Sequence, residues 1–315
     1  AKRVFDWVPL HLALPVAQAT AEAFRRHGDR RNRALARLKI IVDRIGAPAF
    51  ADMLLGILRE RGVSALDQIV PAESPVPQIR PAYLDGQTVL PENDGKTASV
   101  RIIIPRSEMK TAQSEAIATW ADAYGSGNVM FTNRQNVEIR GVAQDQVDAL
   151  LDEISGAGLR SAGHERLPDA VACVGTTLCR MAAADTTEAY QLILDEFAED
   201  HRFWEQVGTL KLNITGCPNN CAHAWVGDIG LRGKRIRQPG GGNLDGFDIF
   251  VGGKLSEAGR IGEWIGHVPT TEAPAAIRCL LEHYLHQRTN SEESFGQFCG
   301  RVSLESLSNL VSQQG

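Results

Sequence analysis

The sequence predicts an α+β fold built from more than one folding unit, and three observations carry that reading. Apolar residues recur at helical spacing near both ends of the chain. Residues 99–159 alternate β-rich runs with helical patterns. Beyond them, β-rich runs closed by glycine flank two pairs of cysteines. With 315 residues and 43% hydrophobic content, the chain can bury a substantial core, and its length suits two or three domains.

The elements follow in order. Residues 12–26 (LALPVAQATAEAFRR) and 33–45 (RALARLKIIVDRI) have helical apolar spacing, with the polar turn HGDRRN between them. PAFADMLLGILRER predicts a third helix ending at Gly62. Residues 1–70 are therefore expected to be a helical segment. Residues 71–98 hold five prolines among polar turn formers and read as a linker. SVRIIIP (99–105) predicts a strand. SEMKTAQSEAIATWADAYG predicts a helix, with Ser107 as its N-cap and Glu108 in its first turn. NVMFTNRQNVEIRGV (128–142) reads as two short strands around a polar turn, and QDQVDALLDEISGAG as a second helix. Strand–helix–strand–strand–helix over 99–159 is the order of a ferredoxin-like half-domain.

The remaining residues, 160–315, carry the cysteine loops. TLKLNIT (209–215) predicts a strand that delivers Cys217. WVGDIGLRGKRIRQP (225–239) reads as a hairpin or strand pair, and GFDIFVGG (246–253) as a strand closed by glycines. TEAPAAIRCLLEHYLHQR and LESLSNLVSQ predict helices. A weak internal similarity links the two ends. DWVPLHLALPVAQATAEAFRRHGDRRNRAL near the start and WIGHVPTTEAPAAIRCLLEHYLHQRTN near the end share a tryptophan, a Val-Pro, a helix and a polar turn with Arg and Asn. A terminal helix follows in each.

Composition narrows the function. A net charge of −5 and a pI near 5.9 disfavour general nucleic-acid binding. No apolar run approaches the ~20 residues of a membrane span, and AKRVFDWVPLH does not read as a signal peptide. Six cysteines without a secretion signal fit a reducing cytoplasm. Cys279 and Cys299 lie in apolar surroundings and read as buried structural thiols. The other four form a pattern: Cys173 and Cys179 in VACVGTTLCR, then Cys217 and Cys221 in NITGCPNNCAHAW, spaced C-x5-C and C-x3-C. Four thiolates on two short loops can hold one iron–sulfur cube. Structural zinc prefers C-x2-C or C-x4-C knuckles, and disulfide frameworks belong to short secreted chains.

These loops, with FTNRQNVEIRGV, TGCPNNCAHAWVGDIGLRG and FDIFVGG, resemble the sirohaem- and [4Fe–4S]-dependent nitrite and sulfite reductases. The resemblance covers nearly the whole chain. It implies a cluster-binding α/β domain over 160–315 and a helical segment that ends a first repeat. The chain would then be a second repeat preceded by the tail of a first. The absence of an initiator methionine is read the same way.

By the same resemblance, Cys173, Cys179, Cys217 and Cys221 ligate the cluster and Cys221 bridges it to the sirohaem iron. Gly216 and Pro218 would shape the second loop. Asn219 and Asn220 would offer donors to the cluster sulfurs, as would Thr176 and Thr177 beside Gly175. Sirohaem carries eight carboxylates, so Arg134, Arg140, Arg30, Arg31 and Arg33 are candidate cationic partners. His223 is a candidate proton donor.

The implied reaction is six-electron reduction of nitrite to ammonia, or of sulfite to sulfide, with ferredoxin as donor. Much of the family's anion pocket comes from the first repeat, so a complementary half is an expected partner. On an extended strand Arg235 and Arg237 would point one way and Arg232 and Lys234 the other, whereas a turn at Gly233 would gather all of them into a docking patch for an acidic donor. Alternatives are a precorrin-ring oxygenase of cobalamin synthesis and a non-catalytic electron-transfer subunit carrying only the cluster.

Overall fold

A computed structural model describes residues 2–32, 35–72, 86–167, 169–197, 199–238, 240–255 and 259–312. Contacts divide the chain into two units, Ala1–Arg80 and Pro81–Gly315.

In the amino-terminal unit, strand β1 (Phe5–Trp7) precedes helix α1 (Leu10–His27), where Pro9 occupies the N-cap. Helix α2 (Leu38–Ile45) passes through Gly46 into α3 (Ala47–Glu60). Gly46 has φ +85°, a conformation that glycine adopts without steric cost. The helical apolar pattern becomes a core: Leu12, Ala19 and Ala23 of α1 join Ile41 and Val42 of α2. Phe50, Leu54, Ile57 and Leu58 supply the face of α3. Strand β2 (Val70–Pro71) pairs antiparallel with β1.

The second unit opens with a four-stranded antiparallel sheet. Its elements are β3 (Val89–Pro91), β4 (Thr97–Ile102), α4 (Thr111–Tyr124), β5 (Val129–Phe131), β6 (Val137–Ala143) and α5 (Val147–Gly156). The strand order is β3-β4-β6-β5. β6 lies between β4 and β5 and is antiparallel to both, so β4–α4–β5 is a split βαβ unit. Ile117 and Trp120 of α4, with Leu150 and Ile154 of α5, pack on Val100, Ile102, Val137 and Ile139 of the sheet.

Two expectations are corrected here. β3 lies inside the stretch 71–98 expected to be a linker, because Val89 and Leu90 pair with Val100 and Ser99 across a turn. Ser107 does not cap α4. It has φ +58° and ends a short 3-10 turn, and Lys110 takes the N-cap position.

The rest of the unit is a five-stranded mixed sheet in the order β11-β10-β9-β8-β7. β7 (Val171–Ala172), β8 (Leu212–Thr215) and β9 (Ile229–Arg237) run parallel. β10 (Asn243–Val251) and β11 (Glu263–Pro269) continue antiparallel. Helices α6 (Gly175–Leu178), α7 (Thr186–Phe197) and α8 (His201–Val207) fall between β7 and β8. Helices α9 (Ala273–Gln287), α10 (Phe295–Arg301) and α11 (Leu304–Ser312) end the described chain.

One face of this sheet is the main core. Leu212, Ile214, Ile229, Leu231, Phe247 and Ile249 meet Tyr190, Phe197, Ile277, Leu281 and Phe298 from the helices. The stretch expected as a hairpin at 225–239 is one continuous strand from Ile229 onward, paired with β10 through nine residues. It runs straight through Gly233. A Cβ there would lie 2.4 Å from the Gly216 carbonyl oxygen, so glycine is what admits the cysteine loop.

Candidate cluster site

Parallel strands present their carboxyl ends together. β7 and β8 are parallel neighbours, with Ala172 opposite Ile214, so Cys173 and the Gly216–Cys217 segment emerge side by side. The Cys173 N–H donates to the Ile214 carbonyl at 3.0 Å. The Cys173 sulfur accepts the Gly216 N–H at 3.1 Å, and the Cys173 carbonyl accepts the Thr186 hydroxyl at 2.5 Å. The first cysteine loop folds back on the second. α6 leads to Cys179, and the Ala183 N–H donates to the Gly216 carbonyl at 2.7 Å. Asn220 donates its N–H to the Cys217 carbonyl at 3.2 Å, which makes the tight turn to Cys221. Cys217 is buried, Cys173 and Cys179 are half-buried, and Cys221 is exposed.

This donor set fits an iron–sulfur cube. Four free thiols rise from two loops stitched together by backbone hydrogen bonds, and an N–H already points at one sulfur. Such donors tune a cluster's potential. Among the described residues, no group of three or more His, Cys, Asp or Glu converges as ligands of a single metal ion. A cube spreads its four thiolates over four iron atoms, so their sulfurs stand farther apart than the ligands of a single ion. Cys279 and Cys299 stand apart from this chemistry. Burial pushes the Cys299 thiol up to about 12 and also raises that of Cys279.

After Cys221 the chain crosses to β9 along the sheet face away from the helices. A 3-10 turn at Ala224–Val226 lies directly over Gly230, where a Cβ would come within 1.9 Å of the Ala224 carbonyl oxygen. The Asn213 amide, on the same face, donates to the His223 carbonyl at 3.1 Å. Asn220 adopts φ +57°, and its Oδ1 accepts the Ala224 N–H at 2.7 Å. Its side-chain oxygen therefore helps shape the crossover. Asn219 and His223 are exposed on the loop, His223 with φ +56°.

The TNRQN segment turns between β5 and β6. Thr132 and Asn136 close the turn, and Arg134 and Asn136 reach across to Asp169. Arg134 Nε donates to Asp169 Oδ2 at 3.0 Å, and its Nη2 donates to the Asp169 carbonyl. The Asn136 amide donates to Asp169 Oδ1 at 2.8 Å. Both charged partners are buried. Arg134 therefore cannot serve as the free cation expected for a cofactor carboxylate, because its charge is committed to Asp169. It ties the half-domain to the residues that lead into Cys173. Arg140 is exposed and lies 3.6 Å from Glu138. Arg30 and Arg31 are exposed in the amino-terminal unit, and Arg33 lies outside the described residues.

Arg232, Lys234, Arg235 and Arg237 are not gathered, because β9 remains extended at Gly233. Arg232 and Lys234 share the sheet face away from the helices. There both bind Asp248, at 2.7 and 3.1 Å, and Arg232 lies over the Phe250 ring. Burial alone would raise the Asp248 carboxyl. Hydrogen bonds from Arg232, Lys234 and Trp264 outweigh it and hold the group below its ordinary range. Arg235 points the other way and pairs with Asp245. Arg232 is opposite Thr215, two residues before Cys217, so these cations flank the cysteine loop. Sequence reasoning also passed over Arg180, exposed directly after Cys179 between exposed Leu178 and Met181. Its adjacency to a ligand-type cysteine was the available signal.

Comparison with known proteins agrees with this geometry. Residues 1–57 and 164–314 match the family "Nitrite and sulphite reductase 4Fe-4S domain". Residues 90–157 match the family "Nitrite/Sulfite reductase ferredoxin-like half domain". The chain is 29% identical to the chloroplastic ferredoxin–nitrite reductase of Oryza sativa over 294 residues, covering 91% of this chain and 47% of that protein. It is 28% identical to sulfite reductase [ferredoxin] 2 of Mycolicibacterium paratuberculosis, covering 98% and 54%. The solved NirA protein of Mycobacterium tuberculosis superimposes with a TM-score of 0.82 at 26% identity, over 98% of this chain and 55% of that one. The chain thus spans about half the length of the curated relatives it matches.

Proposed function

The chain belongs to the nitrite and sulphite reductase family, and from that premise we propose that it is the cluster-bearing half of an oxidoreductase that reduces nitrite or sulfite by six electrons. The supporting observation is the meeting of two cysteine loops at the carboxyl ends of β7 and β8, with the Gly216 N–H aimed at the Cys173 sulfur. In this reading Cys173, Cys179, Cys217 and Cys221 ligate a [4Fe–4S] cluster. Cys221, the exposed member, is the thiolate free to be shared with a sirohaem iron. Bound in this way, the pair of cofactors would supply single electrons to the anion through a shared ligand.

The protein's own part is placement and electrostatics. Arg232 and Lys234 put two cations against the single carboxylate of Asp248, leaving net positive charge beside the loop for macrocycle carboxylates. Exposed Val174, Leu178 and Met181 are apolar side chains on the first loop, suited to a flat apolar ring. Ferredoxin is the donor that the relatives' names suggest. A complementary half, in the same or another chain, completes the anion pocket.

An absorption spectrum with iron and acid-labile sulfide analysis tests the reading. Isobacteriochlorin bands with four irons per cluster are expected. Cluster absorption with no macrocycle would favour an electron-transfer subunit. Oxidation of a precorrin ring, with no anion reduction, would favour the oxygenase.

A further inference from the structure

β7 is only two residues long and forms the edge of its sheet. Its inner edge bonds to β8 through Cys173, whose N–H meets the Ile214 carbonyl. In a strand, backbone groups alternate sides, so the N–H and C=O of Ala172 point outward, where no strand of the described residues lies. Gln135 fills that place. Its Nε2 donates to the Ala172 carbonyl at 2.8 Å, and its Oε1 accepts the Ala172 N–H at 3.1 Å. One primary amide thus imitates the peptide group of a missing strand. Only Asn and Gln side chains offer a donor and an acceptor in that arrangement.

The backbone of Gln135 carries a second sign. It sits at φ +65°, a region where glycine or asparagine is more at home than glutamine. The turn itself therefore gains nothing from glutamine, whereas the reach to Ala172 requires its length. The residue contacted is the one immediately before Cys173.

We infer that Gln135 is a positioning residue for the cluster: its amide closes the open edge of β7 and fixes the direction in which Cys173 leaves the sheet. The inference rests on the reading of Cys173 as a cluster ligand. Arg134 and Asn136 anchor Asp169, four residues before Cys173, and Gln135 supplies the last tether before the thiol.

The test uses the holoprotein with Gln135→Asn and Gln135→Met. Asparagine suits the left-handed backbone better but is one methylene too short to reach Ala172. Methionine keeps the length and removes both hydrogen bonds. Both variants should melt with the wild type. Amide exchange at Ala172 should rise about tenfold in each, as expected for losing roughly one net hydrogen bond. Exchange at Ile139 in the neighbouring sheet should not change. The EPR spectrum of the reduced cluster should shift, and a chelator should remove iron faster. Unchanged exchange at Ala172 overturns the inference, as does faster exchange with an unchanged spectrum and unchanged iron retention. Wild-type protein without iron or acid-labile sulfide overturns the cluster reading and this inference together.

Discussion

The two ends of the chain run through the same sequence of elements with different outcomes. β1, α1, α2 and α3 at the start correspond to β11, α9, α10 and α11 at the end: a strand with a tryptophan, a long helix, a short helix and a third helix. The same family matches both segments, in agreement with the internal similarity. At the end, β11 joins a five-stranded sheet, and α9 buries Ala276, Ile277, Leu280, Leu281 and Tyr284 in its core. At the start, among the described residues, β1 pairs with the two residues of β2. There α1 leaves Leu10 91% exposed and Leu14 66%, and Trp7 is 64% exposed. An amphipathic pattern declares that a face is apolar. Whether that face is covered depends on a sheet that the pattern does not contain.

The largest test of this contrast concerns the strand ends, which in the described residues carry cysteines only in the carboxy-terminal copy. Cys217→Ser should remove the cluster, read as loss of iron and acid-labile sulfide, because both loops lose a common anchor. Amide protection at Leu54 and Leu58 in the amino-terminal unit should be unaffected. Retained cluster in this variant would falsify the ligand assignment.

Arg134→Leu comes next. It strands Asp169 as a buried, unpaired charge, a change that typically costs about 3–5 kcal/mol. Urea unfolding followed by Trp204 fluorescence should show that loss in the second unit. A cost below about 1 kcal/mol would mean the pair is dispensable.

Acid should separate the units as well. His164 is fully buried, and burial, reinforced by the nearby Arg101 charge, lowers its pKa to about 4. The unfolded chain binds this proton near pH 6.5, whereas the folded one does so only near 4. Stability therefore falls as pH drops through that window, by about 3 kcal/mol in all. His164→Leu should flatten the decline in the second unit and leave the first unchanged.

The smallest effect, at Leu10, gives the sharpest comparison when set against Leu281. Leu281→Ala, inside the core under the sheet, should cost about 2–5 kcal/mol. Leu10→Ala, at the matching helix near the start, should stay within about 0.5 kcal/mol in this chain. If a complementary half covers α1, the same Leu10 change should weaken association with that half, measured by titration calorimetry. A large Leu10 cost in the isolated chain would mean the two ends are buried alike.

Much of the site was legible beforehand because its signals are local. Cys217 follows the β-rich run TLKLNIT, so its placement at a strand end could be read from neighbouring residues. PAFADMLLGILRER read as a helix, and α3 lies there. β3 was missed because two apolar residues in a proline-rich stretch become a strand only through pairing with β4. Whether the chain turns at Gly233 stayed open in the sequence, since a glycine between charged residues does not reveal that the Gly216 carbonyl lies against it.

The sequence by itself determined the α+β class, the iron–sulfur class of cofactor and the family. Each depends on residue types at short spacing, and physical chemistry acts on such spacing directly. The tertiary structure alone decided what the charges and amides do. Arg134 turned from a cofactor cation into a clamp because Asp169, 35 positions away, reaches it first. Lys234 and Arg235 parted company because an extended strand sends neighbouring side chains to opposite faces. Gln135 became a substitute strand because β7 has an open edge where it lies. A charge or an amide takes its role from the partner it meets in space, and only the folded chain supplies that partner.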